Sequence, residues 1–247
     1  MRYDYLYMDP WSALHKKKND TRKPLYICLS GNSGVGKSTL LRKLSVYLYR
    51  DDHDTIALDE KAVHHHLLPY LFDDTAHFGY LIQLNFMIQR SLLIKSWLAK
   101  GFNLVMERSH LEDYIFINFM FKAGYITESQ HKSYMSLWYE LNEITPIPDL
   151  IVFLDFDTEQ SLKNLQQDEL SGIRPQEFPN NVVKNKWITG WHSEYLHFTQ
   201  NLPPLLQQRV FTCTSPGTVE SLSDKVIEKI HDIRRLHASE DHSLSTY

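Results

Sequence analysis

The sequence predicts an α/β fold, in which a parallel sheet carries helices on both faces. Five short apolar runs, typical of buried strands, alternate with segments whose apolar residues recur at helical spacing. The predicted strands are residues 24–30, 55–60, 103–108, 150–155 and 209–214, and the predicted helices include residues 39–48, 80–100 and 219–235. Because such alternation forms a parallel sheet, ligands are expected at the carboxyl ends of the strands. The polar residues at those ends are Glu60, Glu107, Arg108 and Asp155.

The chain is predicted to hold one domain with an appendage at each end. Residues 1–22 contain aromatic residues followed by a lysine run, which indicates an arm packed on the domain surface and a linker. A binding tail is the alternative for this segment. Residues 23–235 form the predicted domain, and residues 236–247 are predicted to be a frayed C-terminal tail.

Composition excludes several classes of protein. The 247 residues are 43% hydrophobic and carry a net charge of −4, which suits a globular chain and argues against a dedicated nucleic-acid-binding protein. No apolar run is long enough to cross a bilayer, and the N-terminus does not read as a signal peptide. Cys28 and Cys213 fall in candidate strands and are predicted to be buried thiols. We therefore expect a cytoplasmic protein with no membrane or nucleic-acid partner.

The most specific motif lies between the first strand and the first helix, and it matches G-x-x-x-x-G-K-S/T. Its residues are Gly31, Asn32, Ser33, Gly34, Val35, Gly36, Lys37, Ser38 and Thr39. In such a loop backbone N–H groups surround a phosphate, the lysine reaches the β and γ phosphates, and the serine hydroxyl can hold Mg²⁺. The alternative is a glycine-rich turn that binds nothing. The motif predicts nucleoside triphosphate binding by a P-loop NTPase-type three-layer α/β/α fold with strand order 2-3-1-4-5.

Further residues indicate the acceptor of the phosphate. Glu107-Arg108-Ser109 ends the third strand, and Asp113 follows six residues after Glu107. Gln83 and Arg90 are seven residues apart, close to two helical turns, so they share one helix face. A glutamine amide suits the edge of a nucleobase.

The end of the second strand offers a proton acceptor for an alcohol. Glu60 is the preferred candidate, and Asp59 is the competing one because a strand alternates its faces.

These features together resemble the deoxyribonucleoside kinase family, which includes deoxycytidine, deoxyguanosine and deoxyadenosine kinases. The resemblance runs from about Leu25 to Asp157 and includes the segment Pro148-Asp149-Leu150-Ile151-Val152-Phe153-Leu154-Asp155. It implies a kinase that transfers the γ-phosphate of ATP to the 5′-hydroxyl of a (deoxy)nucleoside or nucleoside-like substrate. It also implies Mg²⁺ as cofactor and a homodimer.

The resemblance assigns roles to the residues that match its motifs. Glu60 would be the general base on the sugar 5′-hydroxyl, and Arg108 would position Glu60 or the phosphates. Glu107 would hold Mg²⁺ together with Ser38, and Lys37 would act on the phosphates.

The same resemblance implies a nucleobase site. Gln83 would read the base with two hydrogen bonds, while Arg90 and Asp113 would form a pair that flanks it. Such a pair goes with an amino-bearing base and leaves no space for the methyl group of thymine.

The sequence departs from the family at the sugar. The family has a tyrosine eleven residues before the glutamine, where this chain has Phe72, and Tyr70 is a possible substitute. The family glutamate on the same hydroxyl is not placed. Its expected position holds Lys184, Asn185 and Lys186, with Glu177 and Glu194 as distant candidates.

The predicted lid is short and poor in arginine. Residues 157–180 contain two basic residues, Lys163 and Arg174, against five acidic ones, a net charge of −3. Because phosphoryl transfer depends on charge neutralisation, this composition should weaken the transition state. Arg174 is the predicted ATP-binding residue of the lid.

Two aromatic patterns have simple interpretations. His64, His65 and His66 cannot converge on one ion from a helix, so a surface or packing role is expected. Trp187, Trp191 and Tyr195 recur at helical spacing and are predicted to form core or dimer contacts.

Two other functions remain open. The first is a nucleotide-binding protein of the same fold that has weak or lost kinase activity and acts through a protein partner. The second is a nucleoside monophosphate kinase, which is disfavoured because the chain has few arginines for the acceptor's phosphate.

Overall fold

A computed structural model describes residues 23–51, 54–214 and 217–244. The predicted arm of residues 1–22 and the last three residues of the predicted tail lie outside them. Five parallel strands form one sheet in the order β2-β3-β1-β4-β5, so the predicted fold class and strand order are confirmed. The strands are β1 (Tyr26–Gly31), β2 (Thr55–Leu58), β3 (Asn103–Glu107), β4 (Leu150–Leu154) and β5 (Val210–Cys213).

The central strand β1 is buried along its whole length because helices cover both faces of the sheet. Its side chains alternate between the two layers. Ile27 and Leu29 pack against α1 (Lys37–Asp51) and α9 (Val219–Leu244) on one face. Tyr26 packs on the other face with Ile94 of α3 (Thr75–Ala99).

The second layer is built around α3 and contains a large aromatic core. It includes α4 (Asp113–Lys122), α5 (Glu128–Ile144) and α7 (Asn181–Gln200), with α6 (Thr158–Leu170) packed beside α7. The shorter helices are α2 (Tyr70–Asp73) and α8 (Pro204–Gln207). Trp187, Trp191 and Tyr195 of α7 are buried in this core, so the core interpretation is confirmed and the dimer-contact alternative is wrong for these three.

Two predicted helix ends differ from the structure. The helix α3 begins at Thr75, five residues before its predicted start. The helix α9 runs to Leu244 instead of ending near Arg235 and fraying, because no glycine or proline interrupts residues 236–244.

The thiol and membrane predictions have separate outcomes. Cys28 is a buried free thiol, but Cys213 is only half-buried, since it lies in the edge strand β5. In the described part of the chain, every helix is too short or too polar to span a bilayer.

The helices α4 and α7 cross at a glycine. A Cβ atom added at Gly190 would lie 2.0 Å from Cε2 of the buried Phe119 ring. Gly79 of α3 is also crowded, but there the nearest atom is Cε of Met120, the far end of a flexible side chain, at 2.5 Å.

Gly190→Ala is expected to lower the free energy of unfolding by about 1–3 kcal/mol, since overpacking a core outweighs alanine's better helix propensity. Gly79→Ala is the matched control and should cost less, because Met120 can move aside. Urea unfolding of the two variants measures the difference. Equal losses, or a stabilised Gly190→Ala variant, would show that the ring does not limit this crossing.

Candidate active site

The phosphate loop joins β1 to α1, and two of its glycines meet strict requirements. Gly31 and Gly34 have φ values of 133° and 79°, which side-chain-bearing residues rarely adopt. An added Cβ would also lie 2.6 Å from the Leu154 carbonyl oxygen at Gly31, and 2.5 Å from that of Ser161 at Gly34. The loop is therefore held closely between β4 and α6.

Lys37 lies folded across the loop. Its Nζ donates to the carbonyl oxygens of Gly31 at 2.9 Å and Asn32 at 2.7 Å. Burial, with the nearby positive charge of Arg108, lowers the pKa of Lys37 to about 8. The ammonium group thus spans the cradle in which a phosphate is expected.

Some of the remaining loop residues are held by the rest of the protein, and others are exposed. Asn32 donates from Nδ2 to the carbonyl oxygen of Ile188 at 2.8 Å, which ties the loop to α7. The Val35 side chain is buried in the core, so only its backbone can face a ligand. Ser38 and Thr39 are exposed in the first turn of α1.

Arg108 connects the loop to the end of β2. It has a φ of 62°, the one positive value among the non-glycine residues that the structure describes. Its Nε lies 2.6 Å from Oε1 of Glu60, and its Nη1 donates to the carbonyl oxygen of Gly31 at 3.3 Å. The guanidinium also lies over the Phe116 ring, 4.6 Å from the centroid.

Behind Arg108 lies a buried carboxylate that the sequence interpretation missed. Nη1 of Arg108 donates to the Tyr195 hydroxyl and lies 3.6 Å from Oε2 of Glu112. The Tyr195 hydroxyl in turn donates to the same oxygen of Glu112 at 2.6 Å. The pattern Ser109-x-x-Glu112 is a capping box in the sequence, but it carries no sign of a contact with arginine.

The structure brings Glu60, rather than Asp59, into the pocket. Glu60 begins a short 3₁₀ turn, Glu60–Val63, directly after β2. Burial by itself would raise the pKa of Glu60, but the positive charges of Arg108 and Lys37 hold it well below its usual range. Glu60 is therefore ionised at neutral pH.

Glu107 and Ser38 form an oxygen-rich edge beside Lys37. The Glu107 side chain is buried, and its Oε1 has no hydrogen-bond partner in the described part of the chain. Burial raises the pKa of Glu107, while Lys37 and a hydrogen bond with Ser38 oppose that shift. An unpartnered carboxylate oxygen next to a hydroxyl fits a hard cation such as Mg²⁺. Residues 23–51, 54–214 and 217–244 contain no cluster of three histidine, cysteine or acidic side chains suited to a metal.

A pocket opens between the loop, α3, the segment before α7 and the middle of α7. Its empty space is about 480 Å³ when the solvent at its open mouth is included. The lining combines apolar side chains with charged ones: Ser33, Glu60, His64, Leu68, Leu71, Phe72, Gln83, Phe86, Arg90, Arg108, Phe116, Arg174, Glu177 and Trp191.

Gln83 and Arg90 line the pocket from one face of α3. Gln83 is buried, and its Oε1 has no partner among the residues described. Arg90 pairs through Nη1 with Oδ1 of Asp113, the first residue of α4, and both side chains are buried. Burial raises the pKa of Asp113 to about 6 despite the charge of Arg90.

The predicted sugar contacts are separated by the fold. Phe72 lines the pocket and stacks on Phe178, with ring centroids 4.2 Å apart. Tyr70 does not reach the pocket. It is 48% exposed at the start of α2, where its ring faces Phe78 at 5.1 Å.

The glutamate that the sequence left unplaced has a candidate at the pocket. Glu177 lines it from the segment before α7 and pairs with Arg174 at 2.6 Å. Glu194 pairs with Lys122 instead, at 2.7 Å, outside the pocket lining. Lys184 is buried and pairs with Glu169.

The three consecutive histidines, residues 64–66, lie in different surroundings. His64 lines the pocket, and its ring packs 5.9 Å from that of Phe86, which agrees with the packing part of the expected role. His65 and His66 stack on each other outside it, at 4.1 Å. The 3₁₀ turn ends at Val63, so the three histidines do not lie in the helix that the sequence interpretation assumed.

Comparisons with known proteins agree with this geometry. The sequence model of the family described as "Deoxynucleoside kinase" matches residues 27–235. A deoxyadenosine kinase from Dictyostelium discoideum is 27% identical over 146 residues, which are 57% of this chain and 56% of that protein. The chain thus matches a little over half the length of this curated relative.

Solved structures of M. mycoides deoxyadenosine kinase share the fold. The one with bound dATP has a TM-score of 0.68 at 17% identity, and the match covers 84% of this chain and 100% of that one. The one with bound dCTP has a TM-score of 0.69 at 16% identity, with the same coverage.

Replacing one member of the buried Arg90–Asp113 pair should lower the free energy of unfolding by more than replacing both members. Arg90→Met leaves the Asp113 carboxylate buried and unpaired, so we expect a loss of about 3–5 kcal/mol in the free energy of unfolding. The double variant Arg90→Met/Asp113→Ala should recover part of that loss. Denaturant unfolding provides the comparison, and a double variant less stable than Arg90→Met would contradict it.

Proposed function

Since the chain belongs to the deoxynucleoside kinase family, we propose that it transfers the γ-phosphate of ATP to the 5′-hydroxyl of a deoxynucleoside. One observation carries the proposal. The Glu60–Arg108 ion pair lines the same pocket as Gln83, and Arg108 also contacts the phosphate loop through the Gly31 carbonyl oxygen. A proton acceptor, a base reader and a phosphate cradle therefore meet around one space.

In the proposed reaction Glu60 accepts the proton of the 5′-hydroxyl, whose oxygen bonds to the γ-phosphorus as the bond to the ADP oxygen breaks. Glu60 suits this role because its carboxylate is ionised and partly exposed to the pocket. The loop N–H groups and Lys37 stabilise charge on the phosphoryl oxygens. To do so, the Lys37 ammonium exchanges its two carbonyl contacts for phosphate oxygens.

Glu107 and Ser38 would hold Mg²⁺, which when bound neutralises charge on the β and γ phosphates. The support is the unpartnered, buried Oε1 of Glu107 beside the Ser38 hydroxyl. The homodimer and the cytoplasmic location stay predictions.

The base site should favour an amino-bearing base. Gln83 offers one acceptor and one donor group, and its buried Oε1 has no partner in the described structure. Arg90, held by Asp113, adds a fixed cation to the same wall. A base carbonyl that faced the Asp113 carboxylate would leave two acceptors opposed, which costs about 1–3 kcal/mol when buried.

On the sugar side we propose Glu177 as the carboxylate that accepts from a hydroxyl. Phe72 cannot hydrogen-bond and serves as an apolar wall. The support is that Glu177 lines the pocket, whereas Glu194 is paired with Lys122 outside the lining.

The second candidate is a nucleotide-binding protein with weak or lost kinase activity. The observation that favours it is the lid, whose Arg174 is already paired with Glu177. A lid without a second arginine supplies little additional positive charge to the transferring phosphoryl group.

The test of the proposal is ATP turnover against a panel of nucleosides, deoxynucleosides and monophosphates. We expect deoxyadenosine, deoxyguanosine or deoxycytidine to be phosphorylated in preference to thymidine, with a shift toward thymidine in Arg90→Met/Asp113→Ala. Lys37→Ala is the negative control and should abolish turnover with an unchanged fold by circular dichroism. A panel without any turnover would favour the second candidate, and a wild-type preference for thymidine would contradict the base site.

Glu60→Gln should keep nucleoside binding and lower kcat by about two to four orders of magnitude, because the amide cannot take the proton. Asp59→Asn is the matched control, since Asp59 is adjacent in sequence but outside the pocket lining, and its kcat should stay near wild type. Steady-state kinetics with the best nucleoside decides between them. Should Asp59→Asn be the impaired variant, the general base is misassigned.

A further inference from the structure

The catalytic arginine is held by two carboxylates on opposite edges of its guanidinium. Glu60 contacts Nε from the pocket, at 2.6 Å. Glu112 lies 3.6 Å from Nη1 in the interior and is also reached through the hydroxyl of Tyr195. One positive charge is thus shared between a carboxylate that faces substrate and one that does not.

The Glu112 carboxylate makes more contacts than a helix cap requires. Oε1 of Glu112 accepts from the Ser109 backbone N–H at 3.2 Å, which is its part of the capping box. The same oxygen accepts from Sγ of Cys28 at 3.4 Å. Oε2 takes no part in the cap, and instead accepts from Tyr195 and faces Arg108. A buried charge of this kind is costly unless it is paired, so the second oxygen calls for its own explanation.

We propose that Glu112 and Tyr195 are positioning residues for the phosphoryl transfer, and that they keep Arg108 in place when Glu60 takes up the proton. This inference rests on the proposed function. In the resting state both carboxylates attract the guanidinium. When Glu60 becomes neutral, its charge attraction for Nε is lost, and Glu112 is then the paired carboxylate that still opposes the movement of Arg108 toward the phosphates.

The stacking around Arg108 supports this role. Its guanidinium lies over the ring of Phe116, 4.6 Å from the centroid, and 5.9 Å from the centroid of the Tyr195 ring. Tyr195 itself stacks on Phe153 of β4, with centroids 5.9 Å apart. The anchor is therefore attached to the sheet and to α7, which do not depend on the bound substrate.

Glu112→Gln separates positioning from capping, because glutamine serves equally in a capping box. Its amide oxygen can keep the Ser109 contact, while an NH₂ group replaces the acceptor of Tyr195 and the negative charge disappears. We expect kcat to fall about 10- to 100-fold, as a small displacement of a catalytic group does. The KM values for nucleoside and ATP should change less than about threefold, and the melting temperature should stay close to wild type.

The matched control is Cys28→Ala, which removes a contact to the other oxygen of the same carboxylate and should leave kcat within about twofold. In an Arg108→Lys background, Glu112→Gln should have no further effect on kcat, because Glu112 acts through the guanidinium. If Glu112→Gln does not fold, Tyr195→Phe is judged by the same criteria. A folded variant with wild-type kcat, or an equal loss in the Arg108→Lys background, would overturn the inference.

A spectroscopic measurement separates this inference from the proposed function. The Nε–H signal of Arg108, identified by its absence in Arg108→Lys, should exchange slowly with water in the ¹⁵N spectrum of the wild type. In Glu112→Gln we expect its exchange to be at least about tenfold faster, because the guanidinium is less firmly held. An unchanged signal overturns the positioning role, whereas an absence of wild-type turnover overturns only the proposed function.

Discussion

The pairing of the buried Arg108 guanidinium is the constraint on which the site depends. A cation with about 1% of its side chain exposed must be matched by negative charge and by acceptors from every side. These come from the end of β2, the phosphate loop, the 3₁₀ turn His110–Glu112 after β3, and α7. Through these contacts Arg108, whose φ is positive, joins four segments of the chain.

The sheet could be predicted because each strand is a separate apolar run bounded by polar residues or glycine. The phosphate loop could be predicted because its glycines answer local backbone requirements, such as the positive φ of Gly34. Glu60, Gln83 and Arg90 could be proposed for the site because strand ends and helix spacing bring them to one edge. In each case a short stretch of sequence contains the whole physical reason.

The features that were missed depend on contacts that no short stretch contains. Glu112 is a cap residue in sequence, and its second oxygen acquires a role only because α7 delivers Tyr195 to it, 83 residues later. His64 lines the pocket just after the 3₁₀ turn ends at Val63, whereas the sequence interpretation assumed a helix through the three histidines. The helical end of α9 was missed for a different reason, since a run of polar residues was interpreted as fraying although nothing in it breaks a helix.

The positive charge of the site lies on buried residues and not on the lid segment. Three buried cations line or underlie the pocket, and each has a defined acceptor: Lys37 on loop carbonyls, Arg90 on Asp113, and Arg108 on Glu60 and Glu112. The lid segment, by contrast, has a net charge of −3, and its Arg174 is paired with Glu177. Under the proposed function, positive charge for a phosphoryl group must therefore come from the buried cations of the site, where low polarity strengthens each interaction. In that proposal Lys37 exchanges its carbonyl partners for phosphate oxygens, whereas Arg108 keeps its interior partner Glu112, and the firmness of that contact decides how much of its charge remains at the reacting atoms.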